Sequence, residues 1–260
     1  MLGAIAGDII GSVYEFDNIK SADFQLFSSK SFFTDDTVLT VATADCLLNK
    51  GDYSIYYRDY FNRYPQRGYG LRFEAWGSSG DTLPYYSYGN GSAMRVSPVG
   101  FAFEDLEDVL EEAYRSASVT HTHPEGIKGA QAVASAIFLA RKGKNKPYIK
   151  DYVCSNFSYE LDFSLDDIRE GYSFDETCQG SVPQAIMAFI ESDCFEDSIR
   201  KAVSIGGDSD TIACIAGSIS EAFYKKIPDV VKKEVLARLD DKILKVIDKF
   251  YERYMYDYRY

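Results

Sequence analysis

Apolar residues recur at three- and four-residue steps through most of this chain, and the two-residue alternation of a half-buried strand is almost absent. One helical stripe that we expect to be buried consists of Phe103, Leu106, Leu110, Ala113, Tyr114 and Ala117. The acidic side chains interspersed with it would cover the solvent side: Glu104, Asp105, Glu107, Asp108, Glu111 and Glu112. The pattern leaves the secondary structure of the Tyr- and Phe-rich stretch 53–88 undecided. The periodicity therefore predicts an all-α protein, a compact bundle of many helices.

The same pattern predicts where several helices begin and end. Further helices are expected at roughly 126–142, 183–191, 195–204 and 210–225, with two more near the C-terminus. Gly51 follows LLNK and Gly143 follows ARK, so both fit left-handed helix caps, and Ser164 with Asp167 resembles a capping box. Because 260 residues of 46% hydrophobic composition suffice for one core and no linker is evident, we expect one domain spanning 1–260.

Charge and cysteine content restrict the partners and the compartment. Lys+Arg 28 against Asp+Glu 40 gives a formal net charge of -12, which disfavours direct binding to nucleic acid or anionic lipid. The five cysteines form no CxxC pair, which favours free thiols in a reducing compartment. No apolar stretch approaches the ~20 residues that cross a bilayer. We therefore expect a cytoplasmic protein that neither enters membranes nor binds nucleic acid, and that is a monomer.

Two short acidic motifs each precede an apolar helix. FTDDT contains Thr34, Asp35 and Asp36, and GGDSDT contains Asp208, Asp210 and Thr211. A single acid at a helix N-terminus is most simply a cap, because free N–H groups and the helix dipole stabilise negative charge there. Two doubled sets are harder to explain by capping. Carboxylate and hydroxyl oxygens are the ligands that Mg²⁺ and Mn²⁺ prefer, so convergence of both sets would provide a site for two cations.

Two further segments suggest close approach of the backbone to a neighbour or a ligand. GAIAGDIIGSVYEF, residues 3–16, places small residues on a helix that must pack tightly, and Glu15 near its end is a functional candidate. SYGNGSAMRVSPVG, residues 87–100, flanks Asn90 with Gly89 and Gly91, which permits a ligand to approach the backbone. Gly-Asn-Gly is also an ordinary turn sequence, so this loop alone decides little.

Taken together, the motifs resemble the ADP-ribosylglycohydrolase family, also called the dinitrogenase-reductase-activating glycohydrolase or ADP-ribosyl-acceptor hydrolase family. GDIIGSVYEF is similar to its G-D-x-x-G-x-x-x-E-F, FTDDT to its T-D-D-T, and SYGNGSAMRVSPVG to its G-N-G-x-x-M-R-x-x-P. SVTHTHPEG is similar to its T-H segment and GGDSDTIACIAG to its G-G-D-x-D-T-x-A-x-x-A-G. The resemblance implies an orthogonal all-α fold with two Mg²⁺ or Mn²⁺ ions. It also implies hydrolysis at the distal ribose of an ADP-ribosylated protein or related conjugate, with release of ADP-ribose.

The resemblance assigns roles to individual residues. The metal ligands would be Thr34, Asp35, Asp36, Asp208, Asp210 and Thr211, and the catalytic set would be Glu15, Asp35, Asp36 and Asp208. Substrate would contact Ser87, Tyr88, Gly89, Asn90, Gly91, Ser92, Met94 and His121, with Arg95 as a further phosphate candidate. His123 has no counterpart in the family pattern, and with two histidines and no nearby cysteine cluster a zinc site is disfavoured.

Some features depart from the family pattern, and alternatives stay open. Glu221 stands where the family usually has a glycine, and residues 144–176 do not align with it. Ser87, Tyr88 and Glu15 are more similar to the serine- and poly-ADP-ribose-directed branch than to the arginine-directed one. The alternatives are a non-catalytic ADP-ribose-binding protein on the same fold and a two-metal phosphoesterase that cleaves the diphosphate.

Overall fold

The computed structural model describes residues 1–80 and 83–258, and within them the regular structure is helical. The first eight helices are α1 (Leu2–Gly11), α2 (Asp35–Asn49), α3 (Tyr53–Arg63), α4 (Leu71–Ser78), α5 (Gly91–Met94), α6 (Ser97–Ala102), α7 (Leu106–Ser118) and α8 (Pro124–Arg141). The others are α9 (Lys146–Phe157), α10 (Leu165–Arg169), α11 (Cys178–Ile190), α12 (Phe195–Ser204), α13 (Ser209–Tyr224), α14 (Asp229–Leu236) and α15 (Asp241–Tyr254), before a 3-10 turn at Tyr256–Tyr258. The only β-type pairing in these ranges is an isolated bridge between Gly89 and Thr177. The predicted all-α class is confirmed.

Helices α1 and α13 cross in direct backbone contact at the centre of the molecule. A Cβ added at Gly3 would lie 2.3 Å from the carbonyl oxygen of Gly217, well inside van der Waals contact. A Cβ at Gly7 would lie 2.0 Å from the carbonyl oxygen of Ala213. Only glycine at this four-residue spacing allows the two helices to approach so closely, which bears out the tight packing expected of the N-terminal segment.

The core surrounds this crossing. Every residue of α1 is buried, as are the residues of α13 from Ser209 to Ala222. Helix α13 also packs against α8, α11 and α12. At its distal end, Glu221 accepts hydrogen bonds from the backbone N–H of Gly3 at 2.8 Å and from the hydroxyl of Tyr251. The glutamate that departs from the family pattern therefore ties α13 to α1 and α15, far from the N-terminal end of α13.

Several helix boundaries differ from the predicted ones. Helix α1 ends at Gly11, so Glu15 lies in the turn that follows it. The left-handed cap of α2 is Lys50, with φ 51°, and not Gly51, whereas Gly143 does adopt a left-handed φ of 76°. Helix α11 begins at Cys178, because Thr177 caps it by accepting from the N–H of Gly180, so Pro183 lies inside the helix. The Ser164 cap of α10 is confirmed, since its hydroxyl accepts from the N–H of Asp167 at 3.2 Å.

The buried face of α7 is rotated relative to the apolar stripe predicted from the sequence. Val109 is fully buried, whereas Tyr114 is 48% exposed. Phe103, Leu106 and Leu110 are only partly buried, because they pack at the edge of the core. Glu112 is not a purely solvated acid, since its carboxylate accepts a hydrogen bond of 2.7 Å from the hydroxyl of Tyr53.

The undecided aromatic stretch forms two helices and a connecting loop. Helices α3 and α4 pack through Phe61, Tyr69 and Phe73, with the rings of Tyr69 and Phe73 stacked at a centroid distance of 5.4 Å. The aromatic rings here serve helix packing, which explains the missing strand alternation. Among the helices of residues 1–80 and 83–258, none combines the length and the apolar character needed to cross a bilayer.

Candidate active site

A cavity of about 360 Å³ opens where the N-terminal ends of α2 and α13 meet. It is large enough for a small organic ligand, since ligand pockets typically measure about 300–1,000 Å³. Its walls come from widely separated segments: Glu15, Asp35, Asp36, Leu39, Gly68, Gly70, Leu71, Arg72, Phe73, Tyr85, Ser87, Gly89, Asn90, Gly91, Met94, Arg95, His121, Phe174, Glu176, Asp208, Asp210 and Thr211. We call this cavity the cleft.

The first acidic motif forms the N-terminus of α2. Thr34 is the N-cap residue, and its hydroxyl oxygen accepts from the backbone N–H of Asp36 at 3.3 Å. Asp35 and Asp36 occupy the first turn and line the cleft. Oδ1 of Asp36 is buried and has no hydrogen-bond partner. An unpaired buried carboxylate oxygen is costly, so its presence on the cleft wall indicates a position for a ligand that binds oxygen.

The second acidic motif forms the N-terminus of α13. Gly206 and Gly207 both have left-handed backbone conformations, with φ of 69° and 75°, which residues with a Cβ rarely adopt. This turn directs Asp208, Asp210 and Thr211 into the cleft. The hydroxyl of Thr211 donates to Oδ2 of Asp36 at 3.2 Å, so the two acidic motifs are in direct contact.

Glu15 joins the two motifs from the turn after α1. Carboxylate oxygens of Glu15, Asp208 and Asp210 lie within 4.8 Å of one another. Asn18 holds this turn against the glycine loop, because its side chain donates to the carbonyls of Glu15 at 2.9 Å and Gly207 at 3.0 Å. The same side chain accepts from the N–H of Gly207 at 2.7 Å.

The clustered acids perturb one another. Burial, reinforced by neighbouring carboxylates, raises the pKa of Asp35, Asp36 and Asp210 well above the ordinary range. Burial also raises the pKa of Asp208, although hydrogen bonds from its neighbours oppose the shift. For Glu15, burial and the charges of Asp208 and Asp8 raise the pKa to about 7. Mutual repulsion among buried carboxylates is relieved either by protonation or by bound cations.

The Gly-Asn-Gly loop forms the part of the cleft wall next to Asp208. Ser87, Gly89, Asn90, Gly91, Met94 and His121 line the cleft. The amide of Asn90 donates to Oδ2 of Asp208 at 2.7 Å and to the hydroxyl of Ser181 at 3.0 Å, so this side chain positions a metal-ligand candidate. Burial and nearby arginines lower the pKa of His121 well below its usual value, which keeps the ring neutral.

Three residues assigned from the motifs are not among those that line the cleft: Thr34, Ser92 and Tyr88. Ser92 is fully buried, and its hydroxyl donates to the carbonyl of Gly126 at 2.7 Å, which positions α5 rather than facing the cleft. Tyr88 is 45% exposed and is not among the cleft residues; its ring packs edge-on against His123 at 5.3 Å. His123 itself caps α8 by accepting from the N–H of Glu125.

Arg95 reaches the cleft wall but is mainly held by the protein. It is fully buried and lies over the ring of Tyr57, with the guanidinium carbon 4.2 Å from the ring centroid. Its Nη2 donates to the carbonyl of Ser116 and to the hydroxyl of Thr120, both at 2.9 Å. The more exposed cation on this wall is Arg72, which stacks near Tyr85 at 5.1 Å.

Five residues that shape the site were not predicted from the sequence. Asp8 lies inside α1 and binds the N-terminus of α2, and an acid within an otherwise apolar helix was the available signal. Phe174 and Glu176 line the cleft. They lie at the end of residues 144–176, the segment that does not align with the family pattern. Arg72 and Asn18 carried no sequence signal, because surface arginine and a turn asparagine are ordinary residues.

The chemistry of the donor set suits a hard divalent cation. Carboxylates from two helix N-termini, a turn glutamate and threonine hydroxyls are oxygen donors, the type that Mg²⁺ and Mn²⁺ prefer. The buried Oδ1 of Asp36 is an additional indication, because it has no hydrogen-bond partner and keeps a ligand position available. No ion pair among the described residues includes Asp35, Asp36, Asp208 or Asp210.

Comparisons with known proteins find relatives over most of the chain. A family model described as ADP-ribosylglycohydrolase matches residues 1–259. The chain is 27% identical over 300 residues to ADP-ribosylhydrolase ARH3 of Xenopus tropicalis, covering 86% of this chain and 85% of that protein. It is also 27% identical over 264 residues to ADP-ribosylarginine hydrolase Tri1 of Pseudomonas putida (strain GB-1), covering 86% and 69%. A solved ADP-ribosylglycohydrolase-related protein complex has a similar fold, with a TM-score of 0.69 at 25% identity over 97% of this chain and 95% of that chain.

Proposed function

Because the chain belongs to the ADP-ribosylglycohydrolase family, we propose that it is a metal-dependent ADP-ribosylhydrolase. It cleaves the glycosidic bond between the distal ribose of ADP-ribose and an acceptor, a protein side chain or a related conjugate, and releases ADP-ribose. The observation that carries the proposal is the meeting of two acidic helix N-termini and Glu15 in one cleft. A protein that only binds ADP-ribose needs no such concentration of acids, whereas hydrolysis at a sugar carbon does.

The proposed cofactor is a pair of Mg²⁺ or Mn²⁺ ions. Their ligands would be Thr34, Asp35, Asp36, Asp208, Asp210 and Thr211. The 3.2 Å contact between Thr211 and Asp36 supports a shared site, because it joins the two ligand sets through oxygen donors. When bound, such cations supply charge neutralisation, orient the ribose hydroxyls and lower the pKa of water.

Glu15 is the proposed proton acceptor. In the reaction the C1″–acceptor bond breaks with oxocarbenium character, and a water oxygen forms the new bond to C1″. The water gives up one proton to Glu15, and Glu15 passes a proton to the leaving acceptor, so that the carboxylate is restored. In the metal-free cleft, burial and the charges of Asp208 and Asp8 raise the pKa of Glu15 to about 7. The proposed role needs the ionised carboxylate, which neighbouring cations would favour. Asp35, Asp36 and Asp208 would contribute by holding the reacting groups in place.

The Gly-Asn-Gly wall is the proposed site of the diphosphate and the distal ribose. Gly89 and Gly91 leave the ring of His121 within reach of a ligand, since a Cβ at Gly91 would lie 3.6 Å from its Nε2. The neutral His121 can donate or accept without adding charge. Arg72 and Arg95 supply positive charge on the same wall, which suits a diphosphate in an otherwise acidic cleft.

The test is a product assay with defined linkages. Purified protein is incubated with arginine-, serine- and DNA-linked ADP-ribose in the presence of Mg²⁺, Mn²⁺ or EDTA, and the products are identified by mass. We expect free ADP-ribose from at least one linkage, with loss of product in EDTA. The variants Asp36→Ala and Asp210→Ala should reduce release to background, whereas Asp151→Ala, an exposed acid of α9, should not change it.

Other products would refute the proposal in distinguishable ways. AMP as the product would identify a phosphoesterase, since only cleavage of the diphosphate yields it. Binding of ADP-ribose in a calorimetric titration without release from any linkage would identify a binding protein on this fold.

A further inference from the structure

Asp8 is a buried carboxylate in the middle of α1 that the proposed mechanism does not use. Its side chain is fully buried, and it is the only charged residue of the helix. None of the ion pairs within residues 1–80 and 83–258 includes it. A carboxylate is retained in such surroundings only when hydrogen bonds satisfy its oxygens.

Asp8 takes its hydrogen bonds from the N-terminus of α2. Its Oδ2 accepts from the backbone N–H groups of Thr34 and Thr37, both at 3.0 Å, and from the hydroxyl of Thr37. Its Oδ1 accepts from the hydroxyl of Thr34 at 2.7 Å. The carboxylate therefore caps α2 from a different helix, in addition to the long 3.3 Å bond from Asp36 N–H to the Thr34 hydroxyl.

The direction of the Thr34 hydroxyl proton has a chemical consequence. A threonine hydroxyl has one hydrogen and two lone pairs, and it can bind a cation only through a lone pair. The hydrogen of Thr34 has two acceptors within reach, Oδ1 of Asp8 at 2.7 Å and Oδ2 of Asp36 at 3.4 Å. A bond to Asp8 leaves Oδ2 of Asp36 with the Thr211 hydroxyl at 3.2 Å as its donor, whereas a bond to Asp36 would add a second donor to a carboxylate that the cation needs.

We propose that Asp8 is a positioning residue that holds the Thr34 hydroxyl proton away from the cleft, so that Thr34 and Asp36 both present lone pairs to the metal. This inference rests on the proposed metal site and goes beyond it, because Asp8 itself does not line the cleft. A purely structural role for Asp8 would tie α1 to α2 without affecting cation affinity. The two roles are separated by Thr37, whose hydroxyl contacts the same carboxylate but lies outside the proposed ligand set.

The experiment compares Asp8→Asn with Thr37→Val in the full chain. The measurements are the Mn²⁺ dissociation constant, by calorimetry and by electron paramagnetic resonance of free Mn²⁺, and the melting temperature in EDTA. We expect Asp8→Asn to weaken Mn²⁺ binding by about 10–100-fold, as loss of an outer-shell partner does. We expect Thr37→Val to lower the melting temperature and to leave the dissociation constant within about twofold. Ser12→Ala, which alters a hydroxyl at the end of α1 that contacts Phe32, is the matched control.

A second measurement uses the unaltered protein and does not depend on the folding of a variant. The Thr34 hydroxyl proton is observed by NMR in the Mg²⁺-loaded protein and is assigned through its scalar coupling to the Thr34 side chain. We expect a slowly exchanging proton whose scalar coupling across the hydrogen bond identifies the carboxyl group of Asp8, and not that of Asp36, as its acceptor. Exchange as fast as that of an exposed threonine would overturn the inference.

The outcomes separate this inference from the function it rests on. Failure of the unaltered protein to bind Mn²⁺ would refute the metal site and the proposed function together. Normal Mn²⁺ binding by folded Asp8→Asn, or an equal loss of affinity in Thr37→Val, would refute only the positioning role.

Discussion

The contact between α1 and α13 predicts that alanine substitutions along one glycine seam affect stability and metal binding differently. Gly7 and Gly11 both belong to α1 and both face α13. A Cβ at Gly7 meets the backbone of Ala213, in the middle of the crossing, whereas a Cβ at Gly11 meets Cα of Asp210 at 2.5 Å. Both substitutions should destabilise the fold, but only Gly11→Ala should displace a proposed metal ligand.

The size of the effect follows from the missing space. Ordinary contact begins at 3.4 Å, so the 2.0 Å at Gly7 leaves a shortfall of 3.4 − 2.0 = 1.4 Å, and the 2.5 Å at Gly11 leaves 3.4 − 2.5 = 0.9 Å. Overpacking of this kind costs about 1–3 kcal/mol or more, because backbone atoms cannot rotate away. The higher helix propensity of alanine offsets about 1 kcal/mol of that cost. Because both clashes are with backbone atoms, the cost lies at or above the upper end of this range. We expect a net loss of about 2 kcal/mol or more for each variant, larger for Gly7→Ala, equivalent to a fall in Tm of at least roughly 4–8 °C.

The assay is thermal unfolding followed by circular dichroism in EDTA, together with Mn²⁺ titration below the melting transition. Gly171→Ala is the control, since the nearest atom to its added Cβ would be 4.0 Å away. We expect Gly11→Ala to weaken Mn²⁺ binding by about tenfold or more, as a displaced metal site does, and Gly7→Ala to weaken it much less. If Gly7→Ala and Gly11→Ala melt at the same temperature as Gly171→Ala, the close packing of α1 against α13 is refuted. Unaltered Mn²⁺ affinity in Gly11→Ala would refute the link between this packing and the metal site.

Three further predictions concern the cleft. In EDTA, burial raises the pKa of Asp8 to about 6 and that of Glu15 to about 7, above their ordinary values of 3.8 and 4.5, so the folded protein holds protons that the unfolded chain has released. As far as these two groups decide it, the free energy of unfolding should be greatest at and below about pH 4 and should fall as the pH rises through 7. Bound Mn²⁺ should remove most of that fall. A melting temperature in EDTA that does not decrease between pH 5 and 7 would contradict this prediction. Asn90→Ala should weaken Mn²⁺ binding by about tenfold, because Asp208 loses the amide donor that lies 2.7 Å away. An unchanged Mn²⁺ affinity in calorimetry would contradict this prediction. Arg72→Ala should raise the KM for an ADP-ribosyl substrate by about tenfold and leave kcat unchanged, as expected for loss of one charge-assisted hydrogen bond. Steady-state kinetics that show a lower kcat instead would assign Arg72 to the chemical step.

Local patterns in the sequence predicted the elements of the fold well. Three- and four-residue periodicity identified the helical class, and the helix predicted at 195–204 matches α12. Small residues at four-residue spacing predicted the close crossing of α1. Errors arose where a local signal was indirect. Thr177 starts α11 ahead of an apolar pattern that begins only later, and the α7 stripe is rotated because its packing depends on the neighbouring α8.

The site was predictable to the extent that its residues carry motifs. Doubled acids at two helix starts suggest oxygen ligands from the sequence alone, and both sets line the same cleft. Tyr88 and Ser92 show the limit of such reasoning, since a contiguous motif includes residues that face away from the ligand. Side-chain direction within a loop depends on what packs behind it, here His123 and the carbonyl of Gly126.

Residue types and short spacings were enough to establish the helical class, the acids at helix starts and the family. Which groups act together follows instead from contacts between distant segments. Asp8 reaches Thr34 across 26 residues, and Asn90 reaches Asp208 across 118. Such contacts depend on how helices cross, and the crossing of α1 and α13 depends on backbone space that no single segment encodes. The raised pKa of Glu15 has the same origin, since burial and carboxylates from distant parts of the chain produce it together.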